Sequence, residues 1–280
     1  TGVANPGTVI EVPGKIVYDR GTPWMHTITD AEPHGTQPMS LRDIIVHSSN
    51  IGTLLLTDEV GTERFGAYLE SFGFGQKTAL DFPNESAGLF KPASEWQGTE
   101  RQSHSYGYGY SVTALQLAAA VNTVANGGVY VAPKLVEAVI GADGEVTDTP
   151  AAATHQVIQP ATAATMTDMM KGVVCEGTGK GAQIPGISVA GKTGTAYKVQ
   201  DDNTYGAAGT RAYRASFVGY FPADAPRVTI LVTIDEPDPT SNDRFGGKAA
   251  APLFSSIATA AIHELQITPT PGDSGCPAAG

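Results

Sequence analysis

At 280 residues, 41% of them apolar and 16% charged, the chain has the length and balance of one large soluble domain or two small ones. Its 17 basic side chains against 28 acidic ones leave a net charge of −11 with no compensating basic cluster, which excludes a nucleic-acid backbone as partner. No apolar run approaches the ~18 residues of a membrane-spanning helix, and no charged-then-apolar signal segment opens the chain.

Cys175 and Cys276 are the only cysteines, and neither has a metal-ligand or Cys-x-x-Cys spacing. No metal and no cofactor is expected. Two free thiols and a disulfide, the latter in an oxidising compartment, both remain open.

In chain order, residues 8–12 and 15–18 read as strands broken by Pro13-Gly14, followed by a loop rich in Pro, His and Gly. Ser40, with Asp43 three positions on, predicts a capped helix whose apolar stripe is Leu41, Ile44 and Ile45. That helix leads into Ser48-Ser49-Asn50. A further helix carries Phe65, Tyr68, Leu69 and Phe72 and closes at Gly73 and Gly75. Residues 76–110 are loop-rich and end in Tyr106-Gly107-Tyr108-Gly109-Tyr110, which reads as loop packing. Thr113 and Gln116 predict a second capping box, heading an alanine-rich helix over 114–125 that is expected to be central and buried. Strands follow, with a turn at Asp143-Gly144.

Pro160 predicts the start of a helix with Met166, Met169, Met170, Val173 and Val174 on one side. A last helix is expected from Pro252, burying Leu253, Phe254, Ile257, Ala261 and Leu265. The Pro-, Gly-, Ser- and Ala-rich tail over 268–280 is expected to be disordered. His34, His47 and His104 read as surface or internally satisfied histidines rather than bases.

Residues 186–193 fit the phosphate-loop pattern G-x-x-x-x-G-K-T letter for letter. A phosphate loop must feed at once into a helix, however, and the glycine-broken stretch after Thr193 has no helical periodicity. Ile187, Val189 and Gly191 instead alternate with Ser188, Ala190 and Lys192, as in a strand. The acid-ended apolar run over 230–236 follows 215–221 across a link too short for a parallel crossover, so the pair is expected to be an antiparallel hairpin. Nucleotide hydrolysis is the weaker reading.

As a strand, Lys192-Thr193-Gly194-Thr195 suits acyl transfer when combined with Ser48-Ser49-Asn50. Ser48 is a candidate proton relay to a leaving amine, and Asn50 a candidate amide for holding a peptide. Lys192 is a candidate fixed positive charge for a substrate carboxylate, with the hydroxyls of Thr193 and Thr195 beside it. Gly194 lets a substrate backbone lie close, and the Thr195 N–H is a candidate oxyanion donor.

The order of motifs resembles the transpeptidase domain of class B penicillin-binding proteins, closest to the division-type septal peptidoglycan synthases. The resemblance rests on Ser48-Ser49-Asn50-Ile51-Gly52, Phe72-Gly73-Phe74-Gly75, Tyr108-Gly109-Tyr110-Ser111, Asn126-Gly127-Gly128 and Gly177-Thr178-Gly179. It continues through Gly191-Lys192-Thr193-Gly194-Thr195, Ser216-Phe217-Val218-Gly219-Tyr220, Asp235-Glu236-Pro237, Gly246-Gly247 and Ala251-Pro252-Leu253-Phe254, covering residues 8–267.

The resemblance implies an α/β penicillin-recognising fold over 1–267, an antiparallel sheet flanked by helices with a helical subdomain at about 40–126. It implies a serine acyl-enzyme that cross-links peptidoglycan stem peptides ending in D-Ala-D-Ala and is acylated by β-lactams. It also implies division or envelope-synthesis proteins as partners and a place on the extracytoplasmic face of the bacterial membrane.

One departure stands out. The family's nucleophile lies in Ser-x-x-Lys, and no such tetrad occurs in these 280 residues. The nucleophile helix and a membrane anchor are therefore expected upstream of Thr1, and the chain alone is expected to be inactive. Three alternatives are a non-catalytic envelope scaffold, a D,D-carboxypeptidase and a β-lactamase on the same fold.

Overall fold

Alternation of apolar side chains over 213–235 makes a β-hairpin, and that hairpin is the frame of the molecule. In the computed structural model, residues 2–276 are described except 23, 24, 81, 202, 203, 208, 209, 270, 271 and 274. The amino-terminal part contains strands β1 (Val9–Val12), β2 (Ile16–Tyr18), β3 (His26–Ile28) and β4 (Gln37–Ser40). Helices α1 (Leu41–His47), α2 (Asn50–Val60), α3 (Thr62–Ser71), α4 (Glu100–Ser105) and α5 (Ala114–Ala125) follow. Next come β5 (Val129–Val131), β6 (Ala138–Ile140), β7 (Val146–Asp148), β8 (Thr154–Gln156) and α6 (Pro160–Cys175). The chain closes with β9 (Ala190–Tyr197), β10 (Tyr213–Phe221), β11 (Val228–Asp235) and α7 (Gly246–Glu264).

The three long strands form an antiparallel sheet in the order β11-β10-β9, as the short 222–226 link requires. Central β10 is covered on both faces, hence its near-continuous apolar run. On one face Phe217 and Phe221 pack against Ala250, Ala251, Phe254 and Ala258 of α7. On the other, Tyr220 and Ala190 pack against Met170 of α6, with Val121, Val124 and Ala125 of α5 behind. Tyr220 is buried but satisfied, its hydroxyl 2.7 Å from Thr167 Oγ1. A separate cluster of Val12, Ile28, Met39, Ile44, Ile51 and Leu54 joins the amino-terminal strands to α1 and α2.

Both predicted capping boxes form. Ser40 caps α1 with Asp43, and Thr113 caps α5 with Gln116. The Gln116 amide also reaches out of the box, donating to the carbonyls of Gln76 at 2.7 Å and Ala87 at 2.9 Å. It thereby anchors the loop-rich stretch before it.

Three expectations need correction. Helix α5 buries only Gln116, Ala119, Ala120 and Thr123, and its remaining residues are half-covered or exposed, because it lies over the sheet as an outer layer. Helix α7 begins at Gly246, with Pro252 inside it. Its buried stripe is Ala250, Ala251, Phe254 and Ala258, whereas Leu253 (43%), Ile257 (43%) and Leu265 (57%) are exposed. Phe254 is buried as expected, and close approach of helix to sheet around it selects the small side chains Ala250, Ala251 and Ala258.

The third concerns the tail after Thr268. Among its described residues, Asp273 accepts hydrogen bonds from Ser188 N at 2.9 Å and Ser188 Oγ at 2.8 Å, and Cys276 is disulfide-bonded to Cys175. Composition pointed to disorder, whereas Asp273 and Cys276 are held by a carboxylate clamp and a covalent staple. Residues 270, 271, 274 and 277–280 of that expectation lie outside the described residues.

Candidate active site

Two helices meet at Ser48-Ser49-Asn50. Ser48 ends α1 in the left-handed region (φ 59, ψ 46), and Ser49, with β-region backbone (φ −68, ψ 117), caps α2 by accepting from Gly52 N at 2.9 Å. A left-handed serine costs about 1 kcal/mol, and the flanking helices hold it there.

The junction is gripped from outside by the loop after β3. Buried Ser49 donates to Asp30 Oδ2 at 2.6 Å, Ile51 N donates to Asp30 Oδ1 at 3.0 Å, and His34 Nε2 lies 3.0 Å from the same carboxylate. Asn50 Nδ2 donates to Thr29 O at 2.9 Å. The Gly35 carbonyl and the Asp30 carboxylate both favour imidazolium and raise the pKa of His34.

Strand β9 is the other wall. It is the edge of its sheet, and the phosphate-loop reading ends there, because Lys192 and Thr193 lie within a strand and not at a helix start. Lys192 Nζ donates to Ser48 Oγ at 2.6 Å, closing a contact across 144 positions of sequence, and to its neighbour's carbonyl, Thr193 O, at 3.2 Å. Part of the Lys192 side chain stays accessible, yet enough protein crowds its ammonium that burial lowers its pKa from 10.5 to about 8. No carboxylate among the described residues forms an ion pair with it. A desolvated cation without an internal counter-ion is arranged to receive an external anion.

The open edge of β9 has a defined polarity. Tyr197 N donates to Tyr108 Oη at 3.0 Å, outside the sheet. Backbone groups repeat every second residue along a strand, so the N–H groups of Thr195 and Thr193 face the same open side. The Thr195 hydroxyl accepts from Gly246 N at 3.0 Å, and the Thr193 hydroxyl lies 2.7 Å from Thr178 Oγ1. A Cβ at Gly194 would stand 2.5 Å from Ser216 Oγ, so a larger residue there makes the Ser216 hydroxyl turn away.

The six residues singled out by sequence thus fall into two groups. Ser48 and Lys192 touch directly; Thr193, Gly194 and Thr195 extend the same strand; Asn50 sits on the adjoining helix and is held by Thr29. The sequence offered no signal for Asp30 and gave no site role to Thr178, although Thr178 lies in the Gly177-Thr178-Gly179 motif. His34 is internally satisfied as expected, by Asp30 and the Gly35 carbonyl. The Tyr-Gly run read as loop packing, whereas Tyr108 reaches the end of β9. His104 is satisfied internally, its Nδ1 bonded to the Glu100 carbonyl.

Comparison with known proteins places the chain. Residues 1–259 match a family model described as the penicillin binding protein transpeptidase domain. Penicillin-binding protein PbpB of Mycolicibacterium smegmatis is 39% identical over 97% of this chain and 42% of its own length. Stage V sporulation protein D of Bacillus subtilis is 35% identical over 84% of this chain and 36% of its own. Among solved structures, penicillin binding protein 3 from Mycobacterium tuberculosis, complexed with aztreonam, superposes with a TM-score of 0.85 at 34% identity, covering 99% of this chain and 62% of that one. The chain therefore spans under half the length of these curated relatives.

Proposed function

This chain belongs to the penicillin-binding protein transpeptidase domain family, and from that premise we propose that it is part of a peptidoglycan D,D-transpeptidase that β-lactams acylate. The observation that carries the reading is the 2.6 Å contact between Lys192 Nζ and Ser48 Oγ, which joins the two motifs into one groove.

In the proposed reaction, a serine supplied by sequence outside these 280 residues attacks the carbonyl of the penultimate D-Ala of a stem peptide. The oxyanion that forms is met by the Thr195 N–H on the open edge of β9. As the C–N bond breaks, the proton given up by the attacking serine reaches the departing D-Ala amine through Ser48, whose hydroxyl takes up one proton as it passes one on. The ammonium of Lys192 fixes that hydroxyl for the transfer. Lys192 and the Thr193 and Thr195 hydroxyls hold the terminal carboxylate, and Asn50 holds the peptide. An amine from a second strand then takes the acyl group, regenerating the serine. Stem peptides and β-lactams are the ligands in this reading, with division or envelope-synthesis proteins as partners.

The reading places the domain outside the cytoplasm. A disulfide between Cys175 and Cys276 supports an oxidising compartment. Among the described residues no helix is long and apolar enough to cross a membrane.

The test is labelling of the full-length protein with a fluorescent penicillin, with turnover followed by release of the label. Stable labelling that this chain alone does not show is the expected result. Rapid release would make it a β-lactamase or carboxypeptidase, and no labelling would make it a scaffold that kept the fold without the reaction.

The pH profile follows from Lys192. Below about pH 8 its amine is cationic and binds a carboxylate; above, it is neutral. With that pKa the protonated fraction falls about tenfold between pH 7 and pH 9. The second-order acylation constant for an anionic β-lactam is expected to fall by about that factor over the same interval. A profile flat through pH 9 would remove Lys192 as the anion-binding charge.

A further inference from the structure

The loop Gly177-Thr178-Gly179, between α6 and β9, touches both walls of the groove. Its backbone is fixed from several sides. Gly177 N donates to Gly172 O at 3.1 Å and Gly179 N to Val173 O at 2.9 Å, which tie it to the end of α6. Thr178 N reaches Val46 O, in the last turn of the helix that delivers Ser48, at 3.4 Å. Gly177 lies so close to that carbonyl that a Cβ would stand 2.2 Å from it. On the far side, a Cβ on Gly247 would stand 2.1 Å from Thr178 O, so the start of α7 closes the loop in.

With the backbone held, the Thr178 side chain has few choices. Its hydroxyl lies 2.7 Å from that of Thr193, the residue beside Lys192 on the open strand. A hydroxyl has one proton to donate. If Thr193 gives its proton to Thr178, it can only accept, and it faces a substrate carboxylate with a lone pair. If Thr178 gives its proton to Thr193, the Thr193 proton is free to point at the carboxylate. Thr178 is itself exposed, so it does not fill the core. Among the described residues, the hydrogen-bond partner of its side chain is Thr193.

We propose that Thr178 is a positioning residue for carboxylate recognition: it donates to Thr193 Oγ1, turns the Thr193 proton toward the substrate anion, and couples the α1 wall to β9. The inference rests on the reading of the groove as a transpeptidase site. It adds a residue outside the three short motifs.

The experiment compares Thr178→Val and Thr178→Ser in the full-length protein, using a fluorescent penicillin as free acid and as carboxylate methyl ester. Valine keeps the branched shape and removes the donor; serine keeps the donor. Thr178→Val is expected to slow acylation by the free acid about fivefold to tenfold, the size of one neutral hydrogen bond, and to leave the ester unchanged. Thr178→Ser is expected to restore the wild-type rate. Combining Thr178→Val with Thr193→Val is expected to give no loss beyond that of Thr193→Val alone, because one variant acts through the other.

A Thr178→Val protein that acylates like wild type, while Thr193→Val is impaired, overturns the inference and leaves the site reading standing. Equal losses for acid and ester overturn it as well. Failure of the wild-type protein to be labelled overturns both. Should Thr178→Val not fold, Thr178→Ala removes the same donor without added bulk and carries the same test.

Discussion

Replacing Lys192 with alanine in the full-length protein is expected to slow acylation by a fluorescent penicillin about a hundredfold to a thousandfold. The estimate follows from what Lys192 holds. Its ammonium donates to Ser48 Oγ at 2.6 Å, and no carboxylate among the described residues shares it. Removing one partner of a desolvated, hydrogen-bonded charge pair costs about 2–5 kcal/mol in complexes where it has been isolated, and about 1.4 kcal/mol is a factor of ten. Both the orientation of Ser48 and the attraction for the ligand carboxylate go at once. Arginine is not expected to rescue, since its planar fork matches neither the single Ser48 contact nor the crowding around Nζ.

Stability should move the other way. Because burial lowers the pKa of Lys192 from 10.5 to about 8, the folded protein binds fewer protons than the unfolded chain between those values. Stability is therefore lost as pH falls from about 10.5 to about 8, and the deficit persists at neutral pH. Lys192→Ala removes that deficit, so its melting temperature at pH 7 is expected to be no lower than that of wild type. A variant that is both less stable and less active would point to misfolding instead of lost chemistry.

What the sequence disclosed depended on whether the determining forces were local. Capping boxes at Ser40/Asp43 and Thr113/Gln116 span three residues, and both were readable as such. The β10–β11 hairpin followed from link length alone, and Lys192 with its neighbours followed from alternation and motif. On the inward face of α7, Phe254 was readable but Ala250, Ala251 and Ala258 were not, because how closely the helix approaches β10 is a tertiary distance that they record only as small size.

Asp30 escaped for a related reason. Nothing in a Pro-, His- and Gly-rich loop says that its carboxylate will accept from Ser49 and Ile51 some twenty residues on. Thr178 lay inside a motif that could be quoted, but its contact with Thr193 needed the fold to show it. The carboxyl-terminal segment is the sharpest case. Its composition pointed to disorder, and neither the pairing of Cys276 with Cys175 nor the hold of Asp273 on Ser188 is legible in that composition.

That pairing carries the second large effect. The bond closes a loop of 101 residues between the end of α6 and the carboxyl-terminal segment, with Cα atoms 5.2 Å apart. Chain-entropy arguments give about 4–5 kcal/mol for a loop of that order, as an upper figure, because the reduced chain retains some structure. Cys175→Ser with Cys276→Ser is expected to lower the unfolding free energy by about 3–4 kcal/mol, read as a shifted urea midpoint.

The loss should also be legible at the site's side of the molecule. Cys276 packs against the cluster that contains Ile184, Ile187 and Val189, and Asp273 clamps Ser188 two residues before β9. Releasing the segment exposes the strand's entry but leaves Lys192, Ser48 and Thr193 in their own contacts. Acylation at 25 °C should therefore persist in the serine variant while its midpoint falls, and wild-type protein under thiol reductant should behave the same way. A midpoint that does not move on either substitution or reduction would show that the covalent link adds nothing to the packing beneath it.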